Sequence, residues 1–246
     1  MRLKDKVAVV TGGGSGFGEG IVKKFVAEGA KVLIADRDEA NARRVAEATG
    51  ARYVLADVSR AADTKAMLDE AERAFGGLHI LVNNAGVAHL PQPLEGLPED
   101  DFDRIAGVNM KAIYLAAREV VPRFKESKGG VILNVASTAG VSPRPKLAWY
   151  NASKGWVITA TRAMAVELAP FGIRVVALNP VAGETPLLPT FMGGDTPENR
   201  ARFLATIPLG RLSTPEDIGN SACFLCSDEA SMITGVAMEI DGGRCI

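Results

Sequence analysis

Tyr150 and Lys154 stand four residues apart in Tyr150-Asn151-Ala152-Ser153-Lys154. On a helix that spacing puts both side chains on one face. Ser137 lies thirteen residues before Tyr150. A phenol, an ammonium and a hydroxyl together suit proton transfer at an alcohol oxygen. Hydride leaves a carbinol carbon only as the hydroxyl proton is removed, so the reaction needs a base. A phenol with a pKa of about 10 is a poor base at neutral pH. A nearby ammonium favours the phenolate, as does the positive charge of an oxidised hydride carrier. Lys154 is therefore expected to lower the Tyr150 pKa and to hold nucleotide ribose hydroxyls. Ser137 is expected to hydrogen-bond the substrate oxygen and stabilise developing charge. The bland alternative is a helix-surface pair with no task.

A second constellation sits near the N-terminus. Val7-Ala8-Val9-Val10 runs into Thr11-Gly12-Gly13-Gly14-Ser15-Gly16-Phe17-Gly18, and a helical pattern follows. Glycines permit close backbone approach, so amide N–H groups can face a pyrophosphate at the helix's positive end. The P-loop pattern fails because no Lys-Ser/Thr follows, and G-x-G-x-x-G fails because Phe17 stands where its last glycine belongs. The pattern present is T-G-x-x-x-G-x-G, with Gly12, Gly16 and Gly18. Asp36 ends the second strand candidate, 18 residues after Gly18. A carboxylate there accepts hydrogen bonds from the adenosine ribose hydroxyls and repels a 2′-phosphate, favouring NAD over NADP. Arg37 follows at once and would oppose that bias by pairing with a phosphate. The alternative for Asp36 is a helix N-cap. Asp57-Val58 closes the third strand candidate, within reach of an adenine.

These residues need a scaffold that brings them together. Strand candidates are the apolar runs Val7–Val10, Val32–Ala35, Tyr53–Leu55, Ile80–Val82, Val131–Val135, Val175–Leu178 and Ala237–Ile240. Between them lie stretches with apolar residues at three- and four-residue spacing. One runs from Ile105 toward Pro122, and another from Val157 to Leu168, before Pro170. Such alternation predicts right-handed crossovers and a parallel sheet. The expected fold is α/β: a single-domain, doubly wound parallel sheet of about seven strands over residues 1–246, with helices on both faces. Ligands of such sheets bind at the carboxyl ends of the strands, where Ser137 and the start of the Tyr150 helix would converge. The Gly-, Pro- and Thr-rich stretch from Val181 to Pro208 lacks a strand pattern and is expected to be a mobile substrate lid around residues 183–208.

Composition narrows the function. The 28 basic and 29 acidic residues of the 246 give a net charge of −1, with no run of five like charges, which argues against a nucleic-acid partner. No apolar stretch is long enough to span a bilayer, and no signal sequence follows the N-terminus. A soluble protein of a reducing cytoplasm is expected. Cys223 and Cys226 form a C-x-x-C without the second pair of a zinc ribbon, inside an apolar helical run, and are expected in the core. No metal site is expected.

The chain resembles the classical short-chain dehydrogenase/reductase family over essentially its whole length. Thr11–Gly18 matches the family's glycine turn. Asn83-Asn84-Ala85-Gly86 matches its N-N-A-G, and Asn109 follows at the family's spacing. Ser137, Tyr150 and Lys154 match its S-x12-Y-x-x-x-K. Asn179-Pro180 with Thr185 matches the segment that meets the nicotinamide carboxamide, and Asp241-Gly242-Gly243 matches the usual C-terminal ending. The resemblance implies a Rossmann fold. It also implies that Tyr150 is the general acid/base, Lys154 its tuner and Ser137 the positioner of the substrate oxygen. Asn109 would support a water linking Lys154 to solvent, or would only mend a helix irregularity. Asn83 would tie strands together. Asn84, Ala85, Gly86, Pro180, Gly183 and Thr185 would join Ser15 and Phe17 around NAD, and a homotetramer would be the usual assembly. Two positions depart from the family. Val181 replaces the usual glycine after the proline, with Gly183 expected to restore flexibility. His79 stands where an acidic residue is usual and is read as structural.

The substrate is less legible. Arg144, between two prolines, suits a carboxylate, sulfonate or phosphate, or else is a solvated loop arginine or one at a subunit contact. His89 would bond a polar substrate, or lie exposed. Leu187, Leu188, Phe191 and Met192 suggest an apolar wall. The leading expectation is an NAD-linked dehydrogenase acting on a secondary alcohol, a small polar or anionic hydroxyl compound, or a sugar. The alternatives are an NADPH-dependent 3-oxoacyl thioester reductase, against which Asp36 speaks, and a catalytically silent dinucleotide-sensing scaffold, against which the complete Ser137, Tyr150 and Lys154 set speaks.

Overall fold

The computed structural model describes residues 1–246. Seven strands form one parallel sheet: β1 (Val7–Thr11), β2 (Lys31–Asp36), β3 (Arg52–Leu55), β4 (Ile80–Asn83), β5 (Gly130–Val135), β6 (Ile173–Pro180) and β7 (Ala237–Ile240). Their order is β3-β2-β1-β4-β5-β6-β7. The strand order reverses between β1 and β4, which opens a crevice at the strand carboxyl ends. Every strand candidate falls on an observed strand. β6 is longer than expected at both ends, because Ile173 pairs with Gly130, and Asn179 and Pro180 pair with Glu239 and Ile240 of β7.

The helices form two layers. On one face lie α1 (Gly16–Ala27), α2 (Glu39–Thr49) and α9 (Pro215–Cys226); on the other lie α3 (Ala61–Phe75), α5 (Ala112–Glu126) and α6 (Ala148–Leu168). Strand periodicity divides the core between them. Ala8 and Val10 pack toward the first layer, Val7 and Val9 toward the second. α5 continues through Pro122 to Glu126, its fully buried Val120 and Phe124 carrying the apolar face past the proline. Before it, α4 (Glu99–Ile105) and a π-helical turn (Ala106–Lys111) run straight into α5.

The insertion between β6 and α9 carries two short helices, α7 (Leu188–Met192) and α8 (Pro197–Leu204). It packs a small core of its own from Val181, Leu188, Met192, Phe203, Ile207 and Leu212. Cys223 and Cys226 are free, buried thiols on α9, as a core placement requires. His79 is structural: its Nδ1 accepts the Val7 N–H at 3.0 Å, and burial lowers its pKa. No helix is long and apolar enough to cross a membrane.

Candidate active site

A cavity of about 410 Å³ runs along the carboxyl ends of the strands. Gly12, Ser15, Phe17 and Asp36 line one end, and Ser137, Arg144, Tyr150 and Lys154 line the other. The parallel sheet thus brings together two constellations more than a hundred residues apart.

The glycine turn is shaped by backbone contacts. The Gly12 N–H donates to the Ala35 carbonyl at 2.8 Å, and Gly12 and Gly16 take positive φ values of +62° and +52°. Gly18 is required for space: a Cβ there would lie 2.1 Å from the Gly12 oxygen. It does not itself line the cavity. Asn84 lines it but spends its amide on the turn, donating to the Thr11 and Gly12 carbonyls at 2.8 and 3.1 Å. Thr11 Oγ1 donates to the Val82 carbonyl and accepts the N–H groups of Asn84 and Ala85. Ser15 is the N-cap of α1, yet its hydroxyl makes no capping bond. The first-turn N–H groups of a helix have no internal partner and lie at its positive end.

Asp36 is fixed at the end of β2, where Oδ2 accepts the Gly14 N–H at 2.9 Å and Oδ1 the Asp38 N–H at 3.1 Å. It is not a helix cap, because Asp38 caps α2 through the Asn41 N–H. Arg37 is exposed on the cavity rim. Val58 lines the wall beside Asp57, whose Oδ1 accepts both the N–H and the hydroxyl of Ser59. A carboxylate at the end of β2, an uncapped Ser15 and the open end of α1 fit the ribose and pyrophosphate of a dinucleotide.

At the opposite end Tyr150 is 5% exposed and packs on Phe191, with ring centroids 5.0 Å apart. It is no helix-surface residue. Burial pushes the phenol up to about 12, and the Ser137 hydroxyl beside it draws the value part of the way down. Lys154 Nζ donates to the Val135 carbonyl at 2.9 Å and lies 5.9 Å from the Tyr150 ring centroid. Burial lowers the Lys154 pKa to about 8. The expectation that Lys154 depresses the tyrosine pKa therefore fails for the protein alone. Both charged forms are penalised by the same dry surroundings, and the ammonium is held by the end of β5. Ser137 follows β5, accepts the Ala139 N–H at 3.1 Å and caps a short 3-10 turn.

Asn109 sits in the π-helical turn, buried behind the cavity wall. Its Oδ1 accepts the Val87 N–H at 2.9 Å, and its Nδ2 donates to the Val87 carbonyl and to Ser153 Oγ, each at 3.0 Å. It therefore bonds the chain after β4 rather than mending its own helix. Gly86 lies between it and Lys154: a Cβ at Gly86 would be 3.5 Å from Lys154 Nζ and 3.6 Å from Asn109 Oδ1. Asn83 ties strands as expected, donating to Asn134 Oδ1 at 2.8 Å.

Pro180, Val181, Gly183 and Thr185 close the cavity between its two ends. Gly183 does not compensate Val181 by positive φ. Its reason is space, because a Cβ would come 2.4 Å from the Phe17 ring and 2.6 Å from Ser213 Oγ. Arg144 is on the wall, half-buried rather than freely solvated. His89 is not. It is 4% exposed and off the cavity lining, with Nδ1 2.8 Å from the Leu90 carbonyl and Nε2 buried without a partner. The run of residues after β4 turns it inward, so neither the substrate contact nor the exposed loop position expected for it holds.

Among the lining residues that escaped the sequence are Ser142, Asn151 and Phe203. Asn151 adjoins Tyr150 and donates from Nδ2 to the Arg144 carbonyl at 2.8 Å, so its position beside the tyrosine was a usable signal. Phe203 arrives only through the folding of α8.

A family profile described as enoyl-(acyl carrier protein) reductase matches residues 12–244. The chain is 47% identical to 4-formylbenzenesulfonate dehydrogenase of Comamonas testosteroni over the whole of both chains. It is 40% identical to 2-(S)-hydroxypropyl-CoM dehydrogenase 3 of Xanthobacter autotrophicus, over 98% of this chain and 97% of that one. A crystal structure of 3-ketoacyl-(acyl-carrier-protein) reductase from Brucella melitensis, complexed with NADH, superposes with a TM-score of 0.95. It is 55% identical and covers 99% of this chain and 100% of its own. With the glycine turn, the strand order and the buried Ser137, Tyr150 and Lys154 already in place, these similarities have one meaning: the chain belongs to the short-chain dehydrogenase/reductase family and is an oxidoreductase that uses a nicotinamide dinucleotide.

Proposed function

We propose that the protein is an NAD-linked dehydrogenase that interconverts a small alcohol, preferably secondary, with its carbonyl compound. The observation that carries this reading is the placing of Ser137, Tyr150 and Lys154 in the same cavity as the Asp36 carboxylate. Asp36 would meet the ribose hydroxyls and repel a 2′-phosphate. The NADH in the Brucella structure supports that choice. When bound, the dinucleotide supplies the hydride acceptor for oxidation and the donor for reduction.

The chain's residues handle the proton and the substrate oxygen. In oxidation Tyr150 Oη takes the hydroxyl proton as the carbinol C–H bond breaks and the C=O bond forms. In reduction the same phenol gives the proton back. Ser137 positions the oxygen and stabilises its partial charge. Lys154 and Asn109, on either side of Gly86, mark the route by which the proton reaches solvent. A phenol held near 12 by burial stays protonated at neutral pH: the proton needed for reduction is in place but little phenolate is available as base, so added positive charge in the cavity matters most for oxidation. The insertion between β6 and α9 acts as a lid, with Phe191 closing over Tyr150.

The name of the Comamonas relative joins a carbonyl to a sulfonate, which supports a small substrate with an anionic end. A second reading, reduction of a 3-oxoacyl thioester, draws on the name of the Brucella protein. Exposed aromatic residues on α4, α5 and α6, among them Phe102, Tyr114, Trp149 and Trp156, suit a homotetramer built on those helices. The free thiols suit a reducing cytoplasm.

The test is turnover of a panel of small alcohols, ketones and 3-oxoacyl thioesters by wild type and Tyr150→Phe. The variant should lose roughly a thousandfold in kcat while binding NADH within about twofold of wild type. Turnover by the variant at the wild-type rate overturns the assignment. Preference for the thioesters selects the second reading.

A further inference from the structure

Arg144 is an uncommon cavity residue. Its loop, Ser142-Pro143-Arg144-Pro145, is stiffened by two prolines, and its carbonyl is held by Asn151, the neighbour of Tyr150. Its guanidinium lies over the Phe203 ring, 4.2 Å from the centroid, and donates to Thr206 Oγ1 at 2.9 Å. A second guanidinium arrives from the C-terminus. Arg244 donates to Ser142 Oγ at 2.9 Å and to the Ser142 carbonyl at 3.5 Å, and its Nε is buried with no partner.

Neither arginine has an acidic partner. Arg123, Arg200 and Arg211 all form ion pairs within 4 Å, whereas Arg144 and Arg244 bond only hydroxyls and a carbonyl. Burial, and then the positive charge of Arg244, hold the Arg144 pKa below its ordinary value. Two adjacent cations without a counter-charge oppose folding, and an arriving anion would relieve that opposition. A purely structural role would explain the Arg244 bonds to Ser142. It would leave Arg144 facing the cavity, and Arg244 Nε, without a purpose.

The wall between this pair and the proton-transfer end is apolar. Phe191 packs on Tyr150, Phe203 packs under Arg144, and both line the cavity. The site thus has a phenol at one place, aromatic surface beside it and the Arg144 guanidinium beyond, with Arg244 behind the wall on Ser142. We propose that Arg144, backed by Arg244, is the anion-binding end of the substrate cavity, and that the substrate carries a sulfonate or carboxylate across an apolar spacer from its reacting oxygen. This rests on the dehydrogenase reading only for where the reacting oxygen lies; the anion site is testable without turnover.

The experiment is calorimetric titration of the NADH-bound protein with benzenesulfonate, benzoate and the neutral benzenesulfonamide. Wild type should bind one of the two anions at least about tenfold more tightly than the sulfonamide, and added salt should weaken that binding. Arg144→Met should lose about tenfold or more in anion affinity, and Arg244→Met severalfold, with sulfonamide binding unchanged in both. Whichever anion binds better identifies the head group. Equal binding of anions and sulfonamide by wild type, or full anion affinity in Arg144→Met, overturns the proposal. Tyr150→Phe should bind the anion as wild type does. Failure of the base assignment therefore appears only as turnover in Tyr150→Phe, and failure of the anion site only in the titrations.

Discussion

At the dinucleotide end, Gly12, Asp36 and Asn84 are held by hydrogen bonds to backbone groups that tie together the ends of β1, β2 and β4. At the substrate end, Arg144, Phe191 and Phe203 stand on a proline-braced loop and two short helices with a separate small core. The first end uses the sheet itself as its template, so its shape is set wherever those strands pair. The second depends on side chains from segments that meet only in the finished fold. One end is therefore suited to a constant ligand, and the other can change its substrate by changing a few side chains.

The sharpest way to break this contrast is to disturb each end by a similar volume. In Gly18→Ala the new methyl group meets backbone 2.1 Å away, and the turn cannot give without moving Asn84. We expect NADH affinity to fall by about a hundredfold or more, measured by fluorescence titration. Leu188→Val, which takes one methylene from the lid core, should leave NADH affinity within about twofold. Equal losses from the two variants would show that the ends are not independently built.

A smaller effect separates the cofactors. Asp36 accepts two backbone N–H groups and presents its remaining acceptor capacity to the cavity. Asp36→Ala removes a ribose acceptor and a repulsive charge, leaving Arg37 on the rim. The ratio of NADH to NADPH affinity should fall by roughly tenfold to a hundredfold. An unchanged ratio would mean that the carboxylate serves only the Gly14 turn.

The same contrast explains what could be read in advance. All seven strands were legible because buried parallel strands read as unbroken apolar runs. Ser137, Tyr150 and Lys154 were legible because strand end and helix spacing set them near the crevice and the family motif they match implies their roles. What Asn84 does was not, because its amide partners lie more than seventy residues away, at the end of β1 and in the turn after it. The inward turn of His89 and the space filled by Gly183 depend on how loops pack. Arg244 escaped altogether, since it reaches Ser142 across 102 residues of sequence and no local pattern marks it. The Tyr150 pKa was misjudged for a related reason: spacing shows that Lys154 is near, while only the fold shows how dry the pair is.

That dryness gives the smallest prediction, and one with a definite sign. The Lys154 pKa is about 8 in the folded protein against its ordinary value of 10.5. Below pH 8 the lysine is charged in both states, and the folded state bears the full desolvation penalty. Above it the folded state releases the proton while the unfolded chain still holds it, so stability rises with pH up to 10.5. Lys154→Met keeps the apolar stem, removes the charge and gives up the bond to the Val135 carbonyl. Allowing for that lost bond, the variant should be more stable than wild type by about 1 kcal/mol near neutrality. Its advantage should shrink toward zero or reverse as pH approaches 10. Tyr150, raised from 10 to about 12, contributes in the opposite direction and at higher pH, where its ionisation in the unfolded chain lowers stability. Urea unfolding of both proteins at about pH 7 and about pH 9.5 checks this. A stability difference independent of pH would show that Lys154 keeps its proton in the fold. The ammonium would then be better solvated than its surroundings imply and better placed to assist the phenolate.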